Sequence, residues 1–245
     1  MPTIQLRFDP ALVHFLPRHI RGGNVISHAP ETATLKHVIE ALGVPHTEIG
    51  RLSRDGHLAS LDERVTDETS VEVTAARDHD GDQPGFIADA HLGGLARLLR
   101  LAGFDTLYDN HFQDVEIAAL AHDSNRIVLS RDVELLKHRD IARGCYLRNT
   151  DPERQFRELD ERLGLRRHAK PFTLCLTCGL PLHPLEAERA AARVPAGILA
   201  RHTRFSTCDG CKRVFWEGSH WQRMRARLAS LLQCEETAIA SKPRK

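Results

Sequence analysis

The chain has 245 residues, 34 basic and 33 acidic, for a formal net charge of +1. That length exceeds what a single core usually fills, so more than one domain is expected. No apolar run approaches the roughly 18–20 residues a membrane helix needs, and the N-terminus, with Asp9 among short apolar runs, does not read as a signal peptide.

Residues 1–77 form the first expected domain. Thr3–Phe8 alternates as a strand, with Ile4, Leu6 and Phe8 on one face. Thr34–Leu42 reads as a helix with a Thr cap, apolar Leu35, Val38, Ile39 and Leu42, and Gly43 as its stop. The Asp55-Gly56 pair predicts a hairpin turn, and Ser70–Thr74 a last strand with Val71 and Val73 inward. This is the order of a β-grasp fold. The stretch Gly43-Val44-Pro45-His46-Thr47-Glu48 resembles ubiquitin-like and sulfur-carrier domains. Carriers act through a free terminal Gly-Gly, whereas the last strand here runs into Ala75-Ala76-Arg77 and continues, so a carrier role is unsupported. The segment is expected to be a docking or regulatory module for a protein partner, or a folding partner for its neighbour.

Residues 78–85, with Asp78, Asp80, Gly81, Asp82 and Pro84, read as a polar linker. Residues 86–168 then alternate strand and helix. Phe86–Ala88, Thr106–Tyr108, Arg126–Leu129 and Cys145–Leu147 are the expected strands. His91–Leu101, Val115–His122 and Glu153–Leu163 are the expected helices. Such alternation implies an α/β domain with a mostly parallel sheet, whose chemistry sits at the carboxyl ends of the strands.

Acids fall at those ends. Asp89 closes the first strand, Asp109 follows the second, Asp114 and Glu116 open the next helix, and Asp132 lies just past the third strand. Carboxylates that converge repel one another unless a cation neutralises them, which points to bound magnesium or manganese. Such ions activate water and offset charge on a phosphodiester. Each acid also has a plainer role: Asp114 and Asp132 as helix caps, Glu116 as a complement to a helix dipole.

Residues 169–232 carry Cys175/Cys178 and Cys208/Cys211, two pairs with the spacing of a closed four-sulfur zinc site. A helix at Leu185–Arg193 is expected between the pairs, with His183 in a loop. Cys145 and Cys234 have no evident partner, which together with the metal-type spacing indicates a reducing cytoplasm. Nine Lys and Arg lie between Arg189 and Arg227 against only Asp209 and Glu217. They interleave with Phe205, Phe215, Trp216 and Trp221, as in a surface that binds unpaired nucleic acid. Trp216 is expected to pack the ribbon against the nuclease domain, and Trp221 either to pack there or to stack on a base. Residues 233–245 read as a mobile tail.

The run from Phe86 to Arg100, Phe-Ile-Ala-Asp-Ala-His-Leu-Gly-Gly-Leu-Ala-Arg-Leu-Leu-Arg, then Gly103-Phe104-Asp105-Thr106, resembles the opening of the Mut-seven C-terminal ribonuclease domain family, a compact branch of the PIN-like nucleases. Ser130-Arg131-Asp132 is similar to that family's Thr-Arg-Asp signature, and the Cys pairs, Val194-Pro195 and Phe215–Trp221 to its attached zinc ribbon. The resemblance implies metal-dependent hydrolysis of RNA, and single-stranded RNA is the expected substrate. Its implied acid set is Asp89, Asp114 or Glu116, and Asp132, with Asp151 as a further metal ligand and Ser130 bonding a carboxylate or a metal-bound water. Arg97, Arg100 and Arg131 would hold phosphates, the first two otherwise lying on an exposed helix face. Lys212, Arg213, Trp221 and Arg223 would bind RNA on the ribbon. The competing reading is a non-catalytic RNA-binding adaptor that recruits a partner through the β-grasp segment.

Overall fold

The computed structural model describes residues 1–77 and 83–232. Strand β1 (Thr3–Phe8) buries Ile4, Leu6 and Phe8, because alternation puts every second side chain on one face. It pairs antiparallel with β2 (Asn24–His28) and parallel with the last strand of the domain. Helix α1 (Leu35–Ala41) starts where the Thr34 hydroxyl accepts the His37 N–H, and packs Leu35, Val38 and Ile39 into the core. Strands β3 (Ile49–Arg54) and β4 (His57–Ala59) flank Asp55 and Gly56, both at positive φ (49° and 82°), as a type I′ hairpin turn requires. Strand β5 (Thr69–Ala75) completes a five-stranded sheet in the order β2-β1-β5-β3-β4. One helix over this mixed sheet is the β-grasp, ubiquitin-like arrangement.

The central elements follow in the expected alternation: β6 (Phe86–Ala88), α2 (Gly93–Leu101), β7 (Thr106–Leu107), α3 (Asp114–Ser124), β8 (Ile127–Ser130), α4 (Val133–Leu136), β9 (Gly144–Tyr146) and α5 (Pro152–Leu163). β6 pairs parallel with β7, and β8 parallel with β9. All four residues of β8 and all three of β6 are buried, as parallel strands covered on both faces require. Helix α5 begins at an Asp151 cap with Pro152 in its first turn, and ends at Gly164 in the left-handed region.

The C-terminal part contains β10 (Leu182–Leu185), α6 (Ala187–Ala191), α7 (Ala196–Leu199), β11 (Phe205–Cys208), β12 (Val214–Trp216) and α8 (Ser219–Leu232). Three antiparallel strands in the order β10-β11-β12 make the ribbon. The helix expected over Leu185–Arg193 is shorter and starts later, because Leu182–Leu185 pairs with Cys208–Phe205 instead. That pairing also puts His183 in a strand rather than a loop, 3.3 Å from Asp209.

Contacts divide the chain into two compact units, residues 1–78 with 112–148, and residues 79–111 with 149–245. The division runs through the stretch expected as one domain, 86–168. Within the first unit, His46, Thr47 and Glu48 bond to backbone groups of Ile141, Leu136 and Tyr146. In the second, α2 packs on α5 closely enough that a Cβ on Gly94 would stand 2.6 Å from Pro152. Cys234, the tail 233–245 and most of the linker fall outside the described residues.

Candidate functional site

The four cysteines form two matching knuckles. After Cys175 the chain turns so that the Gly179 N–H donates to the Cys175 carbonyl at 2.8 Å. After Cys208 the Lys212 N–H donates to the Cys208 carbonyl at 2.9 Å. Gly179 and Lys212 both lie at positive φ (74° and 57°), a conformation that only the first accepts without cost. The four sulfurs lie within 4.8 Å of one another, with Cys175 Sγ 3.7 Å from Cys211 Sγ. A tetrahedral ion with bonds of about 2.3 Å needs sulfur separations of about 3.8 Å, so this cage could hold zinc.

Electrostatics differ across the cage. Burial raises the Cys175 thiol, and burial together with the Cys211 sulfur pushes Cys178 up to about 12. Burial acts in the same sense on Cys211, but the Arg213 backbone N–H and the other three thiols outweigh it and bring Cys211 down to about 7. Next to the cage, Arg100 donates to the Thr106 carbonyl from Nε and Nη2 and to the Leu176 and Thr177 carbonyls from Nη1. At 4 % exposure it is neither a phosphate ligand nor part of an exposed helix face, which corrects both expectations for this residue. Its role is to fasten the first knuckle to α2 and β7. Burial lowers its pKa, and proximity to Cys175 and Cys178 opposes that fall.

Among the described residues no acidic set gathers its oxygens as the cysteines gather their sulfurs, so the carboxylates are placed one at a time. In the first unit, Ser130 ends β8 fully buried, and its hydroxyl accepts the Asp132 N–H at 2.9 Å. Asp132 is exposed and caps α4, both bonds falling on Oδ1, from Glu134 N (2.8 Å) and Leu135 N (3.4 Å). Asp114 and Glu116 occupy the first turn of α3, where Glu116 closes a capping box by accepting the Gln113 N–H. In the second unit, Asp89 follows β6 half-buried, and its carbonyl accepts the Leu92 N–H as the chain turns into α2. Asp151 caps α5 through Arg154 N. The exposed Asp109 is held low by the backbone N–H of His111 and by the ring of the same residue.

Two of the expected RNA contacts from the central stretch, Arg97 and Arg131, are exposed, as are Lys212, Arg213 and Arg223 on the ribbon. Arg213 bonds Thr177 Oγ1 at 3.0 Å, linking the two knuckles. Trp216 packs on the small core of Ala190, Val194 and Phe205 within the ribbon itself. Trp221 lies against Phe172 with ring centroids 4.8 Å apart, and the Arg225 guanidinium stands over it at 5.7 Å. These groups line a groove of about 1200 Å³ with Lys170, Arg204 and Phe215 on its walls. Sequence reasoning missed Phe172 and Lys170, whose only local signal was an aromatic close to the first cysteine pair.

Strand–helix alternation with acids beyond parallel strands, joined to a four-cysteine ribbon, defines a PIN-like α/β protein with an appendage that could hold a metal. Residues 84–228 match the family model described as the Mut7-C RNAse domain, and residues 1–79 the one described as Mut7-C ubiquitin. The chain belongs to the Mut7-C RNAse domain family, with the ubiquitin-like domain of that group at its N-terminus. No curated protein and no solved structure matches the chain. Among the described residues no helix is long and apolar enough to cross a membrane.

Proposed function

We propose that the protein is a metal-dependent ribonuclease that hydrolyses RNA phosphodiesters, with the C-terminal ribbon holding unpaired RNA. The observation that carries this reading is the match of residues 84–228 to an RNase family. The acids add support: Asp89 stands just past parallel strand β6, and Asp132 just past parallel strand β8, where open α/β folds hold their ligands.

In this reading Asp89, Asp114, Glu116, Asp132 and Asp151 supply hard oxygen donors of the kind magnesium and manganese take. A bound ion would supply an activated water and charge neutralisation at the scissile phosphate. Ser130 keeps Asp132 in place through the Asp132 N–H, leaving the carboxylate to its own partners. Arg97 and Arg131 hold backbone phosphates. Zinc at Cys175, Cys178, Cys208 and Cys211 has a purely structural part, since four thiolates leave no open position.

The groove beside the ribbon fits single-stranded RNA. Trp221 and Phe172 offer faces for bases, and Lys170, Arg204 and Arg225 offer cations for phosphates. Thiolate ligands and the buried thiol of Cys145 suit a reducing, cytoplasmic setting.

The test is incubation of the purified protein with labelled single-stranded RNA and manganese or magnesium, beside Asp89→Asn and Asp132→Asn. Cleavage that needs the divalent ion and is lost in both variants is expected. Cleavage that survives both substitutions overturns the reading. A second reading, a non-catalytic RNA-binding adaptor, draws on one observation: Glu116, Asp132 and Asp151 each satisfy backbone N–H groups at a helix start. It predicts RNA binding without turnover under any metal.

A further inference from the structure

The turn His46–Glu48 of the ubiquitin-like domain makes three bonds to a segment 89 to 98 residues further along the chain, all within the first compact unit. The His46 ring bridges Glu40 Oε1 (2.7 Å) and the Ile141 carbonyl (2.9 Å). Thr47 Oγ1 donates to the carbonyl of Leu136, the last residue of α4 (3.2 Å). Glu48 Oε1 accepts the Tyr146 N–H of β9 at 2.7 Å. Thr47 and Glu48 are only 7 % and 6 % exposed, and a carboxylate withdrawn from water is costly without such a bond. Around them the fit is close. The Phe15 ring meets Tyr146 edge-on at 5.1 Å, and a Cβ on Gly144 would stand 3.0 Å from Thr47.

These bonds bear on one strand end. Along a strand successive N–H groups point to opposite sides. Leu147 N–H therefore turns to β8 and reaches the Ser130 carbonyl at 2.9 Å, while Tyr146 N–H turns away to Glu48. Tyr146 is the register partner of Ser130, whose hydroxyl accepts the Asp132 N–H. Glu48 is thus connected to Asp132 through Tyr146–Leu147 and Ser130.

We infer that the ubiquitin-like domain is an internal brace, and that Glu48 is a positioning residue for the strand end that carries Ser130 and Asp132. The clamped surface fits a bare strand edge and a helix C-terminus, and its partner is this chain's own segment 136–146. Only the consequence for cleavage rests on the nuclease reading; the brace stands on the geometry.

Hydrogen–deuterium exchange on the full chain tests it, with Glu48→Ala, Glu48→Gln and Thr47→Val beside the parent protein. The Gln side chain keeps a carbonyl oxygen that can accept the Tyr146 N–H, so it separates the bond from mere occupancy. Glu48→Ala and Thr47→Val are expected to speed exchange about tenfold at 144–147 and 127–132, with residues 3–8 and 69–75 still protected, and Glu48→Gln to restore much of the loss. RNA turnover should fall in step while RNA affinity stays constant. Unchanged exchange at 127–132 in Glu48→Ala and Thr47→Val, or equal loosening in Glu48→Gln, overturns the brace. If Glu48→Ala does not fold, Glu48→Gln and Thr47→Val still decide by the same readout. These exchange changes in the variants, beside a parent protein that never cleaves RNA, defeat the nuclease reading and leave the brace intact. Normal cleavage with unchanged exchange does the reverse.

Discussion

Arg100 Nη1 donates to the Thr177 carbonyl at 2.8 Å, so a helix of the central fold holds the loop between the first two cysteines of the cage. With Nε and Nη2 on Thr106, one guanidinium satisfies three carbonyls from two segments of the chain. Such a side chain, 4 % exposed, acts as a bolt between ribbon and domain rather than as a ligand for RNA.

Replacing it therefore separates stability from binding. Arg100→Met is expected to cost about 3 kcal/mol or more, since it leaves buried carbonyls unpaired. Thermal melting and zinc retention during dialysis would both fall. RNA affinity, measured on protein that remains folded, should be unchanged; a drop in affinity without loss of stability would return Arg100 to the RNA surface.

The cysteine cage gives a pH signature. Near neutrality Cys211, drawn down to about 7, is about half thiolate, whereas Cys178, pushed up to about 12, and the raised Cys175 still carry protons that a metal must displace. Apparent zinc affinity thus falls with acid, and falls more steeply once Cys211 also protonates. Competition with a chromophoric chelator between about pH 6 and pH 8 would record that curve, with proton release on zinc uptake. Full removal of the ion is expected to unfold the ribbon while β6, α2 and β7 stay protected.

Asp132 carries two assignable duties that a pair of substitutions distinguishes. Asp132→Asn keeps an Oδ1 acceptor for Glu134 N and Leu135 N, so stability should change by less than about 0.5 kcal/mol. Asp132→Ala loses the cap as well, at about 1 kcal/mol. Both should abolish RNA turnover if the carboxylate is catalytic. Turnover retained in Asp132→Asn would make the residue a cap alone.

On the ribbon, Trp221→Ala should weaken single-stranded RNA binding by about 1–3 kcal/mol with little dependence on salt, as loss of a stacking platform does. Arg223→Ala should instead lower the salt dependence of binding, because one phosphate contact disappears. Fluorescence titrations over a range of salt concentrations distinguish the two. Equal affinities for parent and Trp221→Ala would remove the groove from the RNA path.

What was legible in the sequence was local. Thr34 announces its own helix, Asp55-Gly56 its own hairpin, and each cysteine pair its own knuckle, because the physics of each lies within a few residues. Asp89 and Asp132 were placed correctly at strand ends for the same reason, from buried runs that stop at a charge. Arg100 was misread because an arginine in an amphipathic helix looks solvated, and only the fold brings Thr177 to it. The short helix α6 was overextended because Leu182–Leu185 is made a strand by a partner twenty or more residues away, and no local periodicity records that. The His46–Glu48 contacts were invisible for the same reason at greater distance.

The clamp on Tyr146 matters for anyone who dissects this chain. The RNase family match begins at residue 84, an inviting place to start an excised fragment. Cut there, the polypeptide would bare the Tyr146 N–H and the Leu136 and Ile141 carbonyls that residues 46–48 now satisfy. A naked strand margin of that sort recruits other chains. A shortened chain that precipitated or lay inert would thus report the missing N-terminal third, and say nothing about the chemistry of the remainder.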